Sequence, residues 1–107
     1  MNKLIRGKCA VIASHYGEAP QQRMMMEECA ELTQAICKLS RVKADDKDDA
    51  RRNYIEELAD VTIMAEQLYL LLDDKERQFL HNTLRFKLRR QFDRIEREED
   101  PKDGQED

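Results

Sequence analysis

The stretch NYIEELADVTIMAEQLYLLL, residues 53–72, decides the fold class of this chain. Its apolar side chains recur at intervals of four and three residues, at Tyr54, Leu58, Val61, Ala65, Leu68 and Leu72. That spacing matches the 3.6-residue turn of an α-helix, whereas a half-buried strand would alternate every second residue. We therefore predict a helix from about residue 48 to residue 72, with this apolar stripe facing a core.

The same reasoning predicts three further helices, at about residues 2–16, 20–41 and 74–98. Gly17 is expected to end the first helix, and Pro20 lies where the first turn of the second would be. Asp74 is a candidate N-cap of the last helix. The second and fourth helices carry apolar stripes of their own, at Met25, Cys29, Leu32, Ile36 and Leu39, and at Leu80, Leu84, Leu88, Phe92 and Ile95. The predicted fold class is all-α.

Composition agrees with helices and limits the partners. The chain has 107 residues with 3 Gly and 2 Pro, and 39% of its residues are charged. Residues 96–107 carry seven acids and two bases, so that the rest of the chain is nearly neutral. Neither part favours a polyanion, and we expect no nucleic-acid partner. We predict a helical domain over residues 1–98, an acidic disordered tail over residues 99–107, and, for so small a domain, self-association.

Cysteine usage and hydropathy predict a cytoplasmic protein. The cysteines are Cys9, Cys29 and Cys37, an odd number without a C-x-x-C pair, which is typical of reduced thiols. The longest apolar stretch is the five residues 68–72, far short of the ~20 that span a bilayer. We see no signal peptide and expect no membrane partner.

Two acidic motifs carry the predicted chemistry. Glu28 and Glu31 lie three residues apart on the second helix, as do Glu57 and Asp60 on the third. Residues three apart share a helix face, so each motif projects two carboxylates to one side, next to small or apolar neighbours. Two such pairs on adjacent antiparallel helices would place four carboxylates around one cavity. Since so much like charge near a core is costly, a divalent cation is its simplest neutraliser.

The ligand types favour a hard cation. Carboxylate oxygens suit Mg²⁺, Mn²⁺ or Ca²⁺. A di-iron bundle would need Glu-x-x-His motifs, and neither His15 nor His81 follows a glutamate at that spacing. Mg²⁺ prefers to be shared with phosphates, which makes a triphosphate the expected ligand. Phosphates that the metal does not hold would need a basic side chain, and the candidates are Lys38, Arg51, Arg52 and Lys87.

These motifs resemble those of the MazG-like all-α nucleoside triphosphate pyrophosphohydrolases. The family pattern is ExxE, a helix-loop-helix gap and ExxD, and here EECAEL is followed by EELADV with 25 residues between Glu31 and Glu57. The residues around Tyr16-Gly17 and Gln21, Asn53 before the second motif, and Lys87 in the last helix add to the likeness. It covers roughly residues 3–95 and is strongest to the small single-domain branch found in firmicutes and their phages.

The resemblance implies a four-helix antiparallel bundle that forms a homodimer or homotetramer. It implies that Glu28, Glu31, Glu57 and Asp60 bind Mg²⁺, with Mn²⁺ as a substitute, and form the catalytic set. It further implies hydrolysis of ribo- or deoxyribonucleoside triphosphates to monophosphate and pyrophosphate, in house-cleaning of the nucleotide pool. Lys38, Asn53 and Lys87 would contact the substrate.

Two other interpretations stay open from the sequence alone. The four acids could belong to a salt-bridged surface. Glu27 and Glu56 could be solvated, or they could contact the metal ligands without binding the metal themselves. The chain as a whole could be a non-catalytic module that binds a nucleotide or a metal, or a helical interaction domain. A degenerate site is expected to have lost one of the four acids, and none is missing here.

Overall fold

The computed structural model describes residues 1–99, which are mostly helical with no strand among them, so the all-α prediction is confirmed. The helices are α1 (Lys3–Tyr16), α2 (Glu18–Leu39), α3 (Lys47–Leu70) and α4 (Asp74–Glu99), and a short 3₁₀ turn, Ala44–Asp46, precedes α3. The predicted disordered tail lies outside the described residues, except for Glu99, which is the last residue of α4.

Local side-chain chemistry sets the boundary between the first two helices. The Asn2 side chain caps α1 by accepting a hydrogen bond from the Ile5 amide at 2.9 Å. Gly17 alone separates α1 from α2, with φ of 82°, a backbone conformation that glycine adopts at no steric cost. Helix α2 begins at Glu18, two residues before Pro20, so the proline lies in the first turn, where its missing amide hydrogen costs no intrahelical bond.

The cap of α4 corrects a prediction. The capping residue is Asp73 and not Asp74, which is the first residue of the helix itself. Asp73 Oδ1 accepts a hydrogen bond from the Glu76 amide at 2.8 Å, and Glu76 Oε1 accepts one from the Asp73 amide at 2.9 Å. This reciprocal arrangement is a capping box, which satisfies two amide donors at the start of the helix.

The described chain divides into two units, Met1–Leu72 and a second that begins at Asp73. In the first, α2 packs along α3, and α1 packs mainly against α3. An ion pair ties α1 to α3, with Arg6 Nε 3.0 Å from Glu66 Oε1. The described part of the second unit is α4, none of whose residues is buried. Four members of its apolar stripe are exposed: Leu84, Leu88, Phe92 and Ile95.

The contact between α2 and α3 uses a different face from the one predicted. The buried residues of these helices are Gln21 and Ala35 on α2 and Met64 and Gln67 on α3. These residues mark the seam, the line of contact between α2 and α3. The predicted apolar stripes are offset by one residue from the seam and stay partly exposed, with Ile36 49% and Leu58 41% accessible. One residue turns a helix by about 100°, because a turn takes 3.6 residues. The apolar stripes thus flank the seam, and the seam itself carries polar residues.

Candidate metal centre

The seam brings polar residues together in pairs that follow an antiparallel register. Near one end, Gln67 Nε2 donates a hydrogen bond to Gln21 Oε1. Seven residues further along each helix, in opposite directions, Glu28 approaches Asp60 within hydrogen-bond distance. Three residues further again, Glu31 and Glu57 meet in the same way. The register therefore places both acidic motifs opposite each other at the middle of the helix pair.

The four predicted acids form one cluster. Glu28, Glu31 and Glu57 each offer a carboxylate oxygen, and these three oxygens lie within 4.8 Å of one another, close enough to share a single cation. Asp60 joins them through its contact with Glu28. The predicted juxtaposition of the two motifs is thus present in the structure, and α2 and α3 each supply two carboxylates.

The cluster shifts the titration of its own members. Burial raises the pKa of Glu28 above its ordinary value, and the neighbouring charges of Asp60, Glu31 and Glu57 raise it further. Burial also raises the pKa of Glu57, followed by the charge of Glu31 and its hydrogen bond with that residue. Every neighbour that contributes is a carboxylate. Proton uptake or a cation would relieve this repulsion.

Two carboxylate oxygens in the cluster lack any hydrogen-bond partner. Glu28 Oε2 and Glu57 Oε2 are buried and accept no hydrogen bond. An ionised oxygen in that position is costly unless a positive charge compensates it. Oxygen ligands, a surplus of negative charge and two unpaired buried oxygens fit a hard divalent cation such as Mg²⁺ or Mn²⁺. The residues present are therefore suited to the metal that the sequence predicts.

Two of the three predicted substrate contacts lie together, one or two helical turns from the cluster. Lys38 and Asn53 line a pocket of about 530 Å³ between the end of α2 and the start of α3. Arg41 lines it as well, so the pocket offers two cations near the carboxylates, beside Asp46 and Asp49. Arg41 was not among the predicted substrate contacts, although it follows Lys38 by three residues.

The other predicted cations are Lys87, Arg51 and Arg52. Lys87 is an exposed residue of α4 in the second unit, and its role stays a prediction. The Arg51 guanidinium lies 5.1 Å from the centre of the Tyr54 ring, which gives it a structural contact within α3. Arg52 is exposed on the same helix.

A second cavity opens at the other end of the cluster. It has a volume of about 460 Å³, and Glu28 and Asp60 form part of its wall. The rest of the wall is mostly apolar and comes from all three helices of the first unit: Ile12, Tyr16, Pro20, Gln21, Met24, Ile63, Met64 and Gln67. Gln67 was not predicted to have a role. Its spacing of seven residues from Asp60, matched by that of Gln21 from Glu28, is the signal that places both glutamines on the seam.

The comparisons with known proteins returned no match. No protein-family model matches this chain, and no curated protein or solved structure does either. The resemblance to MazG-like enzymes accordingly rests on the two acidic motifs and their surroundings. Across residues 1–99, no helix combines the length and apolar character that crossing a membrane requires.

Proposed function

We propose that this chain is a Mg²⁺-dependent pyrophosphohydrolase of nucleoside triphosphates. The observation that carries the proposal is the cluster of four carboxylates on the α2–α3 seam, with buried unpaired oxygens on Glu28 and Glu57. A salt-bridged surface would pair such acids with lysine or arginine, but the groups that act on Glu28 and Glu57 are acidic. The excess negative charge is the feature that a metal–triphosphate complex would neutralise.

The proposed reaction adds water to the α-phosphorus of the triphosphate. The bond between that phosphorus and the α,β-bridging oxygen breaks, and the products are nucleoside monophosphate and pyrophosphate. Glu28, Glu31, Glu57 and Asp60 would hold Mg²⁺, which when bound offsets the charge of the phosphates and of the pyrophosphate leaving group. A carboxylate of the cluster orients the attacking water and accepts its proton.

The surroundings of the cluster suit the two ends of such a substrate. Lys38 and Asn53 line one pocket, where they would contact phosphate oxygens, and Arg41 would add a third donor. The mostly apolar cavity at the opposite end has room for the nucleoside. One ligand that spans the carboxylates would then occupy both pockets.

We further propose that the chain acts as a homodimer or homotetramer. The apolar stripes of α2 and α3 are left partly exposed beside the seam, and α4 buries none of its residues. The buried apolar residues of the described chain are Cys9, Ala13, Ala35 and Met64, most of them small. Apolar surface that is removed from water contributes about 25 cal/mol per Å², so covering these stripes with another copy would add the core that one copy lacks.

The test is a turnover assay on the purified chain. The chain is incubated with Mg²⁺ and a panel of ribo-, deoxyribo- and modified nucleoside triphosphates, and pyrophosphate is separated from orthophosphate. We expect pyrophosphate and monophosphate, and no product after EDTA is added. Orthophosphate with nucleoside diphosphate would mean cleavage at the γ-position and would contradict the proposed reaction.

A binding module is the second candidate, since an acidic cluster could hold a cation without turnover. It predicts that Mg²⁺ with a nucleotide raises the melting temperature while no triphosphate of the panel is consumed. A chain that is indifferent to both ligands would instead be a helical interaction domain.

A further inference from the structure

The cavity beside the carboxylate cluster contains a polar pair that the proposed chemistry does not use. Gln21 is 5% exposed and Gln67 is 2% exposed, and they are the buried polar residues of the described chain. Both line the 460 Å³ cavity, whose other walls are mostly apolar. Buried amides in an apolar setting are costly, so such a pair calls for hydrogen-bond partners on all its atoms.

The amide nitrogen of Gln67 is directed at two acceptors. Its Nε2 donates to Gln21 Oε1 on the facing helix and lies 3.4 Å from the sulfur of Met64, one turn earlier on α3. Two acceptors therefore hold the nitrogen in place. The other end of the amide, Oε1, is buried and has no donor. An orphaned buried acceptor is what a ligand N–H group would satisfy.

The unpaired Gln67 Oε1 lies on the same side of α3 as the carboxylate cluster. Gln67 lies seven residues from Asp60 on the same face of α3, which is about 10 Å at 1.5 Å per residue. Glu28 and Asp60 belong to the carboxylate cluster and also form part of the cavity wall. A molecule with phosphates at the acids and a planar, mostly apolar group at the amide would extend along the seam from one feature to the other.

We propose that this cavity is the nucleobase subsite and that the Gln67 carbonyl oxygen reads an N–H group on the edge of the base. Gln21 positions Gln67 through their hydrogen bond, and the ring of Tyr16 and the side chains of Met24 and Ile63 cover the faces of the base. The inference rests on the proposed function, because it assigns the base end of the same substrate. The preferred substrates are nucleotides whose base donates a hydrogen bond at that edge.

The first test uses the wild-type chain with nucleosides, which carry no phosphate and need no metal. Side-chain amide signals of ¹⁵N-labelled protein are followed by NMR during titration with two matched pairs, uridine with 3-methyluridine and adenosine with N6,N6-dimethyladenosine. We expect the Gln67 amide signal to shift and, in at least one pair, methylation to weaken binding by about tenfold, since it removes the donor. A Gln67 signal that no nucleoside moves, or equal binding within both pairs, would overturn the inference.

The second test compares Gln67→Leu with the matched variant Gln34→Leu, an exposed glutamine on α2. Gln67→Leu should abolish the discrimination between the unmethylated and methylated nucleosides, and Gln34→Leu should retain it. If Gln67→Leu discriminates as well as wild type, the carbonyl does not read the base. Should Gln67→Leu fail to fold, the wild-type titrations decide alone.

Failure of this inference and failure of the proposed function give different results. Triphosphate cleavage with equal kcat/KM for the methylated and unmethylated bases would leave the hydrolase standing and overturn the base assignment. Discrimination between nucleosides without cleavage of any triphosphate would support the base assignment and remove the hydrolase.

Discussion

The Glu28→Gln variant should be more stable than the wild-type chain without metal and less stable than the wild-type chain in Mg²⁺. Without metal, Glu28 is repelled by three carboxylates, those of Asp60, Glu31 and Glu57, and one of its oxygens is buried without a partner. Glutamine removes the charge and keeps the shape. The metal-free variant should therefore be more stable than the wild-type chain.

The expected stability gain of the metal-free Glu28→Gln variant follows from the number of carboxylates that repel Glu28. A like-charge pair on one helix costs about 0.2–0.5 kcal/mol, and we take the same value for the two pairs that Glu28 makes with α3, so relief from three neighbours amounts to about 1 kcal/mol at low ionic strength. For a domain of this size, that gain corresponds to a melting temperature about 4–8 °C higher. With Mg²⁺ at a hundred times its Kd, the wild-type chain gains about 2.7 kcal/mol, and the variant, which lacks one ligand, should gain far less. In Mg²⁺, the wild-type chain should then be the more stable of the two.

The assay is thermal unfolding followed by circular dichroism, in EDTA and in Mg²⁺. Glu27→Gln is the matched control, because Glu27 precedes Glu28 on α2, is exposed, and lies outside the group of Glu28, Glu31 and Glu57 that could share a cation. The control should follow wild type in both buffers. A Glu28→Gln variant that is less stable than wild type in EDTA, or that gains as much from Mg²⁺, would refute the reasoning.

Three further predictions concern pH, turnover and the α4 cap. The folded-state pKa values of Glu28 and Glu57 are raised above the ordinary value of 4.5, so their contribution to stability is present below that pH and is lost as the pH rises through the folded values. In EDTA, the stability gap between Glu28→Gln and wild type should accordingly widen from pH 4.5 upward in urea titrations, and a constant gap would contradict this. Asp60→Asn should lower triphosphate turnover at least a hundredfold while the far-ultraviolet circular dichroism stays that of wild type; retained activity would remove Asp60 from the site. Asp73→Ala should cost about 1 kcal/mol through loss of the α4 cap, measured by urea unfolding, whereas Asp74→Ala should cost less, and equal losses would argue against the Asp73–Glu76 capping box.

The helices and the acidic cluster could be predicted because both depend on spacing within a helix. Apolar spacing, together with Gly17, Pro20 and Asp74 as boundary signals, predicted the helices to within about two residues at their ends. The intervals Glu28 to Glu31 and Glu57 to Asp60 placed two carboxylates on one face of each helix, and antiparallel packing brought the pairs together. Lys38 and Asn53 were predicted as substrate contacts, and the structure places them in one pocket.

The face of each helix that meets its neighbour could not be predicted from periodicity. An apolar stripe shows which side avoids water, and not whether a helix of the same chain or another molecule covers it. Here the α2–α3 contact is rotated by one residue from the stripes, so Gln21 and Gln67 are buried and Leu58 remains partly exposed. The cap of α4 was misplaced by one residue for a related reason, because Asp73 and Asp74 are equivalent in type and only the geometry of Glu76 distinguishes them.

The central claim, that the α2–α3 carboxylates bind a divalent cation, is tested most directly by titrating Mn²⁺ into the metal-free chain and measuring free Mn²⁺ by electron paramagnetic resonance. We expect saturable binding to wild type and to Glu27→Gln, competition by Mg²⁺, and binding at least tenfold weaker in Glu28→Gln and Glu57→Gln. Equal Mn²⁺ binding by all four proteins, or none by wild type, would contradict it.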